Sequence, residues 1–227
     1  MSEIKLVCFD WGGVILRICR NWQEGCAAAG LPARRRDESP ELQAAMAAAR
    51  AEVARRYQTG EIECAAFHSG VAAATGGLYT PDEVRRIHDA WLIAEYPGVD
   101  RVVARLVETP GVQTGLLSNT NAGHWRRHLP GPEGSHADFP TVARLKHRHG
   151  SHLLGAAKPG EEIYRLFERR SDFAGGEILF FDDLQENVET AHRIGWRAEQ
   201  IDPFGDTAAQ IAGHLARYGV FREPGKR

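Results

Sequence analysis

Leu6-Val7-Cys8-Phe9 runs straight into Asp10-Trp11-Gly12-Gly13-Val14-Ile15, and this junction constrains the chain more than any other stretch. An apolar run of that length and composition reads as a buried strand of a parallel sheet. Such a strand delivers the residue at its carboxyl end into the crevice where open α/β sheets bind ligands. Asp10 holds that position, and Gly12-Gly13 let the backbone turn sharply and come close to a ligand. A carboxylate so placed can be a nucleophile, a metal ligand or both. On its own it can equally be a cap at a strand-to-helix turn. Which other residues reach the same edge decides between these roles.

Residues 17–97 read as helical, with no strand signal. Glu41 to Tyr57 is rich in the best helix formers, with Leu42, Met46, Val53 and Tyr57 near one face. Thr59-Gly60 breaks that helix and Ile62 to Ala74 supplies another. Thr80-Pro81 then gives an N-cap and first helical position for a third, through Val84, Ile87, His88 and Trp91. A helical block directly after the first strand reads as an inserted cap.

Beyond Pro97-Gly98 β and α alternate. A helix from Val99 to Glu108 precedes a strand from Val112 to Leu117, which ends in Ser118-Asn119-Thr120-Asn121. A loop covers Gly131 to Gly134, Phe139 to Leu145 reads as helical, and Lys146 to Ser151 as a short edge strand. Lys158-Pro159-Gly160 opens a helix bearing Ile163, Tyr164, Leu166 and Phe167. The strand Ile178 to Phe181 ends in Asp182-Asp183, followed by a helix from Asn187 to Ile194 and a last strand around Glu199 to Ile201. From Arg222 onward the tail reads as frayed. This order predicts a doubly wound, Rossmann-like α/β core over residues 1–16 and 98–227, with an α-helical cap over 17–97.

Three strands thus end in Asp10, Ser118-Asn119 and Asp182-Asp183 at one edge, and Lys158, just before a helix, can reach it too. Carboxylates that close raise one another's pKa unless a cation sits between them. An oxygen-rich, sulfur-free set of this kind suits Mg²⁺. Ser118, Lys158 and backbone amides can then hold phosphate oxygens while Asp10 attacks, forming an aspartyl-phosphate that water cleaves.

The charge of −2 over 227 residues gives no global argument for nucleic acid or an anionic membrane. Cys8, Cys19, Cys26 and Cys64 show no CxxC spacing, which points to a reducing compartment. No signal-peptide pattern or membrane-length apolar run is present, so the expected location is cytoplasmic. The expected partner is a small phosphorylated metabolite, and the expected state a monomer or homodimer.

In order along the chain, Phe-Asp-Trp-Gly-Gly-Val, Leu-Leu-Ser-Asn-Thr-Asn, Ala-Ala-Lys-Pro and Phe-Phe-Asp-Asp-Leu-Gln-Glu-Asn resemble the four signature motifs of the haloacid dehalogenase superfamily. The likeness spans nearly the whole chain. It is similar in particular to the bacterial branch of sugar phosphatases acting on α-D-glucose 1-phosphate, which shares Thr-Asn after the Ser, Lys-Pro before Ile-Tyr, and Asn187 after the acidic pair. The resemblance implies Asp10 as nucleophile and Mg²⁺ ligand, with Ser118, Asn119 and Lys158 on the phosphoryl group. It further implies the Gly12 carbonyl, Asp182 and Asp183 at the metal, and Asn187 orienting Lys158 or a carboxylate.

One departure matters. Most phosphatases of this superfamily carry a second Asp two residues after the nucleophile as general acid and base, and this chain has Gly12 there. General acid–base catalysis supplies about 10²–10⁴ in rate. The absence favours leaving groups that need little protonation: anomeric sugar, aryl or acyl phosphates. His68, His88, Glu61 and His124 are candidate substitutes. Gly12 also leaves room for a catalytically impaired relative that binds a phosphorylated ligand or a protein. Phosphonoacetaldehyde hydrolases need a cap lysine, and residues 17–97 hold none. The 2-haloacid dehalogenases, which work without metal, replace the first of the paired acids, and Asp182-Asp183 argues against them.

Four further features have competing readings. His147, His149 and His152 have spacing that a zinc site could use, against a polar edge strand or loop. Arg34-Arg35-Arg36 reads as solvated surface, with attraction of anionic substrates as the alternative. Trp22, Trp91 and Trp125 read as packing residues before sugar-stacking platforms, with Trp91 or Trp125 able to border the cleft, and Ser118 lacks the Gly-x-Ser-x-Gly elbow of a serine hydrolase.

Overall fold

The computed structural model describes residues 3–35, 38–131 and 136–221; Arg36, Gly134 and the tail from Arg222 lie outside them. The chain opens with β1 (Leu6–Phe9), turns through Asp10 to Gly13, and forms β2 (Leu16–Ile18). Four helices follow: α1 (Trp22–Ala28), α2 (Pro40–Gln58), α3 (Cys64–Ala74) and α4 (Pro81–Asp89). The chain returns through β3 (Leu92–Glu95) into α5 (Val99–Val107) and β4 (Gln113–Ser118). A short α6 (Ala122–Trp125) precedes a 3₁₀ turn over Pro140–Arg144, then β5 (His147–Gly150) and α7 (Ser151–Leu154). The last elements are α8 (Glu161–Ser171), β6 (Ile178–Asp182), α9 (Gln185–Arg193), β7 (Arg197–Gln200) and α10 (Thr207–Arg217).

Five strands form one parallel sheet in the order β5-β4-β1-β6-β7. Its core follows from the period-two geometry of a strand. Val7 and Phe9 of β1 face the cluster that holds Leu116, Phe181, Val103, Leu106, Ile211 and Leu215. Leu6 and Cys8 face the opposite cluster, with Phe180, Tyr164, Phe167 and Trp196. Both faces are therefore covered, as continuous apolar strands require. Each fully buried large side chain such as Phe9 or Phe180 contributes roughly 1.5–3 kcal/mol of transfer free energy.

Two expectations change. Residues 17–97 are not wholly helical, because β2 and β3 pair antiparallel, Leu16 against Glu95 and Ile18 against Leu92. Strands of three and four residues are too short to show a period, and the ribbon forms where the chain leaves β1 and where it comes back. The segment from Phe139 to Leu145 folds as a 3₁₀ turn that begins at Pro140. Beyond the last expected element, α10 closes the chain, capped by Asp206 and buried through Thr207, Ile211 and Leu215.

The helices between β2 and β3 have a core of their own, with Cys26, Val71, Ala72, Tyr79, Val84 and Ile87 buried together. At the start of α4 a capping box forms: Thr80 Oγ1 accepts from the Glu83 amide and the Glu83 carboxylate accepts from the Thr80 amide. This unit lies over the carboxyl edge of the sheet, and the Gly123 amide donates to Tyr57 Oη across the gap at 3.2 Å.

Candidate active site

The parallel register builds the site. Phe9 is level with Leu116 on one side and Phe181 on the other, so the next residues out, Asp10 and Asp182, emerge side by side. The Asp10 amide donates to the Phe181 carbonyl at 2.8 Å, which carries the ladder one step past the strand. Ser118 ends β4 and is buried at the same edge.

Lys158 reaches this edge from the loop before α8 and is fixed by its own backbone. Its amide donates to Asn119 Oδ1 at 2.9 Å, and its carbonyl accepts from Asn119 Nδ2 at 2.8 Å. The ammonium donates to Asp182 Oδ2 at 2.6 Å and lies 3.0 Å from Asp10 Oδ1. Asp182 Oδ1 accepts from the Leu184 amide and from Asn187 Nδ2, both at 2.9 Å. Asn187 therefore orients the carboxylate directly, while its backbone carbonyl accepts from Tyr164 Oη at 3.0 Å.

Burial pulls the Lys158 pKa down, but the charges of Asp10 and Asp182 outweigh it and hold the ammonium well above its ordinary value. Loss of water raises Asp10, with the Lys158 charge opposing and Asp182 adding to the rise. Desolvation, reinforced by Asp10 and Asp182, pushes Asp183 up to about 7.

The three carboxylates each offer an oxygen within 4.8 Å of the others, and one ammonium does not balance them. Asp10 Oδ1 is buried, and although paired in charge with Lys158 it has no hydrogen-bond partner. An under-neutralised, all-oxygen set with an orphaned carboxylate oxygen fits a hard divalent cation such as Mg²⁺. Gly13 is required here: its φ is +79°, and a Cβ on it would overlap the Asp183 carboxylate.

Two cavities open from this edge. The outer one, about 890 Å³, is lined by Asp10, Lys158, Asp183, Asn187, Arg20 and Asp202, with Phe204 exposed at its rim. The inner one, about 400 Å³, lies under the helices. Gly12, Ile18, Trp91, Ser118 and Asn119 line both.

Of the residues expected as substitute acids, none lines the outer cavity. His88 and His124 stack at 3.9 Å on the wall of the inner cavity. His68 packs edge-on to His88 behind them, and Glu61 is exposed and paired with Arg55 and Arg56. His147, His149 and His152 do not converge: they pack on Phe173, Phe167 and Trp125 respectively. Among the described residues they belong to no group that could hold a metal. Trp125 packs between Trp11 and His128, whereas Trp22 and Trp91 line the inner cavity. Sequence reasoning did not find Arg50 and Gln58 of α2, which also face that cavity; nothing in their alanine-rich surroundings marks them.

A five-stranded parallel sheet with an acidic cluster at its carboxyl edge and a buried lysine among the acids defines a class of hydrolase. The chain belongs to the haloacid dehalogenase-like hydrolase family, whose pattern matches residues 4–195. It is 26% identical over 144 residues to phosphatase MT3486 of Mycobacterium tuberculosis, a match that spans 63% of each chain. In structure it is similar to the HAD family enzyme bt-2542 of Bacteroides thetaiotaomicron, with a TM-score of 0.71, 19% identity, and coverage of 92% of this chain and 99% of that one. That enzyme has also been solved with magnesium and inorganic phosphate. L-2-haloacid dehalogenase of Xanthobacter autotrophicus shares the fold at a TM-score of 0.59 and 18% identity, over 97% of this chain and 85% of that one. No described helix is long and apolar enough to cross a membrane.

Proposed function

We propose that this hydrolase cleaves phosphate monoesters of a small metabolite with the help of Mg²⁺, through an aspartyl-phosphate, an acyl phosphate, on Asp10. The observation that carries the reading is the buried Lys158 ammonium held between Asp10 and Asp182, with Asp183 in the same cluster. Such an ammonium attracts a phosphoryl group and leaves the carboxylate beside it ionised for attack.

An Asp10 carboxylate oxygen attacks phosphorus, and the bond from phosphorus to the ester oxygen breaks. The ester oxygen departs with its electron pair as an anion and is then protonated by solvent, and the hydrolytic water returns that proton to solvent when it attacks. Water then attacks the phosphorus of the aspartyl-phosphate, which releases inorganic phosphate and restores the carboxylate. Ser118 and Lys158 hold the phosphate oxygens, and Asn119 keeps Lys158 in place. Asp10, Asp182, Asp183 and the Gly12 carbonyl are the groups that would hold Mg²⁺, which supplies charge neutralisation for the transferring group. The unit between β2 and β3 acts as the cap. The phosphatase relative and the magnesium and phosphate bound by the neighbour support this reading.

The test is phosphate release from a panel of monoesters with Mg²⁺ and with EDTA, alongside Asp10→Asn. Release that needs the metal and disappears in Asp10→Asn is expected. Release that survives Asp10→Asn refutes the mechanism. Chloride release from 2-chloropropionate without metal would establish the dehalogenase alternative instead.

A further inference from the structure

The inner cavity differs in character from the outer one. Its walls are Trp22, Tyr57, Phe67, Val71, Ile87 and Trp91, which come from α1, α2, α3, α4 and the turn before β3. Gly25 of α1 lets Trp91 sit this close, since a Cβ there would stand 2.8 Å from the Trp91 ring. Among the described residues that line the cavity there is no carboxylate.

Arg50 and Gln58 face it from α2, and His88 Nε2 is buried without a hydrogen-bond partner, but the polar groups nearest the acidic edge are already committed. Both polar atoms of the Asn119 side chain are on Lys158, and Asn121 Oδ1 caps α6 through the His124 amide. His124 uses both ring nitrogens, Nε2 on the His88 carbonyl at 2.9 Å and Nδ1 against Asn121 Nδ2 at 3.3 Å. Burial pushes His124 to about 4 and His88 to about 2, so both are neutral near pH 7 and neither is an imidazolium that could act as general acid. Arg50, Gln58 and His88 Nε2 can meet a few hydroxyls of a sugar, but those turned to Trp22, Phe67, Val71, Ile87 and Trp91 would stay without partners, each at a cost in free energy. A flat apolar ring has no such need and gains from aromatic walls.

Two independent features therefore converge. Position 12 is glycine and the inner cavity offers no acid, which favours a leaving group stable as an anion. The walls of the cavity away from the acidic edge are mainly aromatic and aliphatic, which favours a ring. We propose that the substrate is an aryl phosphate, whose aromatic leaving group occupies the inner cavity while its phosphoryl group rests on Lys158 and Ser118. A phenolic oxygen, with a pKa of about 10, departs without the proton that an alkoxide would require. This inference rests on the phosphomonoesterase reading above and narrows it.

The experiment compares kcat/KM with Mg²⁺ for 1-naphthyl, phenyl, glucose 1- and acetyl phosphates. The aryl esters are expected to exceed glucose 1-phosphate at least tenfold, with naphthyl ahead of phenyl. If acetyl phosphate is hydrolysed but glucose 1-phosphate matches or beats the aryl esters, the phosphatase reading stands and this inference falls. If no ester is hydrolysed, both fall.

Placement in the cavity is tested by Ala54→Trp, which fills it from α2 and is expected to cut the naphthyl-to-acetyl ratio at least tenfold. An unchanged ratio places the ring elsewhere, such as beside Phe204. Wild-type protein supplies a measurement that needs no variant to fold. Phenylphosphonate is expected to inhibit acetyl phosphate hydrolysis at least tenfold more strongly than methylphosphonate, and equal inhibition overturns the proposal.

Discussion

Gly12→Asp places a general acid where the family resemblance implies one, and its cost can be read from the structure. A Cβ at Gly12 would stand 2.9 Å from Ile18 Cδ1 and 3.6 Å from Cγ1 and Cγ2, with no backbone atom as close. Gly12 is also outside the left-handed region that restricts Gly13. The substitution thus asks one side chain on β2 to change rotamer, at a cost of about 1–3 kcal/mol. For a chain of this size that lowers Tm by about 2–4 °C per kcal/mol, and Ile18→Val should recover part of it by removing the colliding carbon. The carboxylate would stand between the two cavities, where a departing oxygen needs its proton. Esters with alkoxide leaving groups should gain about 10²–10⁴ in rate, whereas nitrophenyl phosphate should gain little. The assay is the slope of log kcat/KM against leaving-group pKa over a series of phenyl and alkyl phosphates. It should be steep in the natural protein and flatter in Gly12→Asp. Equal slopes in two folded proteins would refute the claim that position 12 sets the demand for a good leaving group.

Lys158→Met leaves Asp10 and Asp182 buried without their cation, so stability should fall by about 3–5 kcal/mol. Urea denaturation without Mg²⁺ reads this, and a loss below about 1 kcal/mol would mean the pair is not held as described. Burial keeps His124 neutral, moving it from 6.5 to about 4, so the folded state binds fewer protons than the unfolded one as pH falls below 6.5. Its contribution is present above pH 6.5 and is lost as pH drops towards 4, about 2 kcal/mol between pH 7 and pH 5. His124→Gln should reduce the difference between urea curves at those two pH values. An identical difference would mean that His124 is not the group titrating.

The sheet was legible because its strands advertise themselves. Ile178-Leu179-Phe180-Phe181 has no other comfortable home than a sheet buried on both faces, and the same holds for β1. Their direction then puts Asp10, Ser118 and Asp182 at one edge, since every strand of a parallel sheet ends on the same side. The β2–β3 ribbon was not legible, because its pairing of Leu16 with Glu95 depends on where the chain returns after four helices. Nor was the inner cavity. Trp22, Tyr57, Phe67 and Trp91 become neighbours only through the packing of those helices; of them only Trp91 reads from the sequence as able to border the cleft. Position along a strand can be read from sequence, but the chemistry of a surface assembled from separate helices cannot.

The paired hydrogen bonds between Asn119 and Lys158 have a consequence for how quickly the site can work. Asn119 grips the backbone of Lys158 on both sides of its Cα, so the lysine stem departs from a backbone already pinned to the end of β4. The long side chain is then threaded through the core until its tip meets two carboxylates. Little conformational searching is left for the moment a substrate arrives, because the entropy of a flexible four-carbon arm was surrendered during folding. A glutamine at 119 would offer the same two polar atoms one methylene farther out, and the lysine would lose its fixed point of departure.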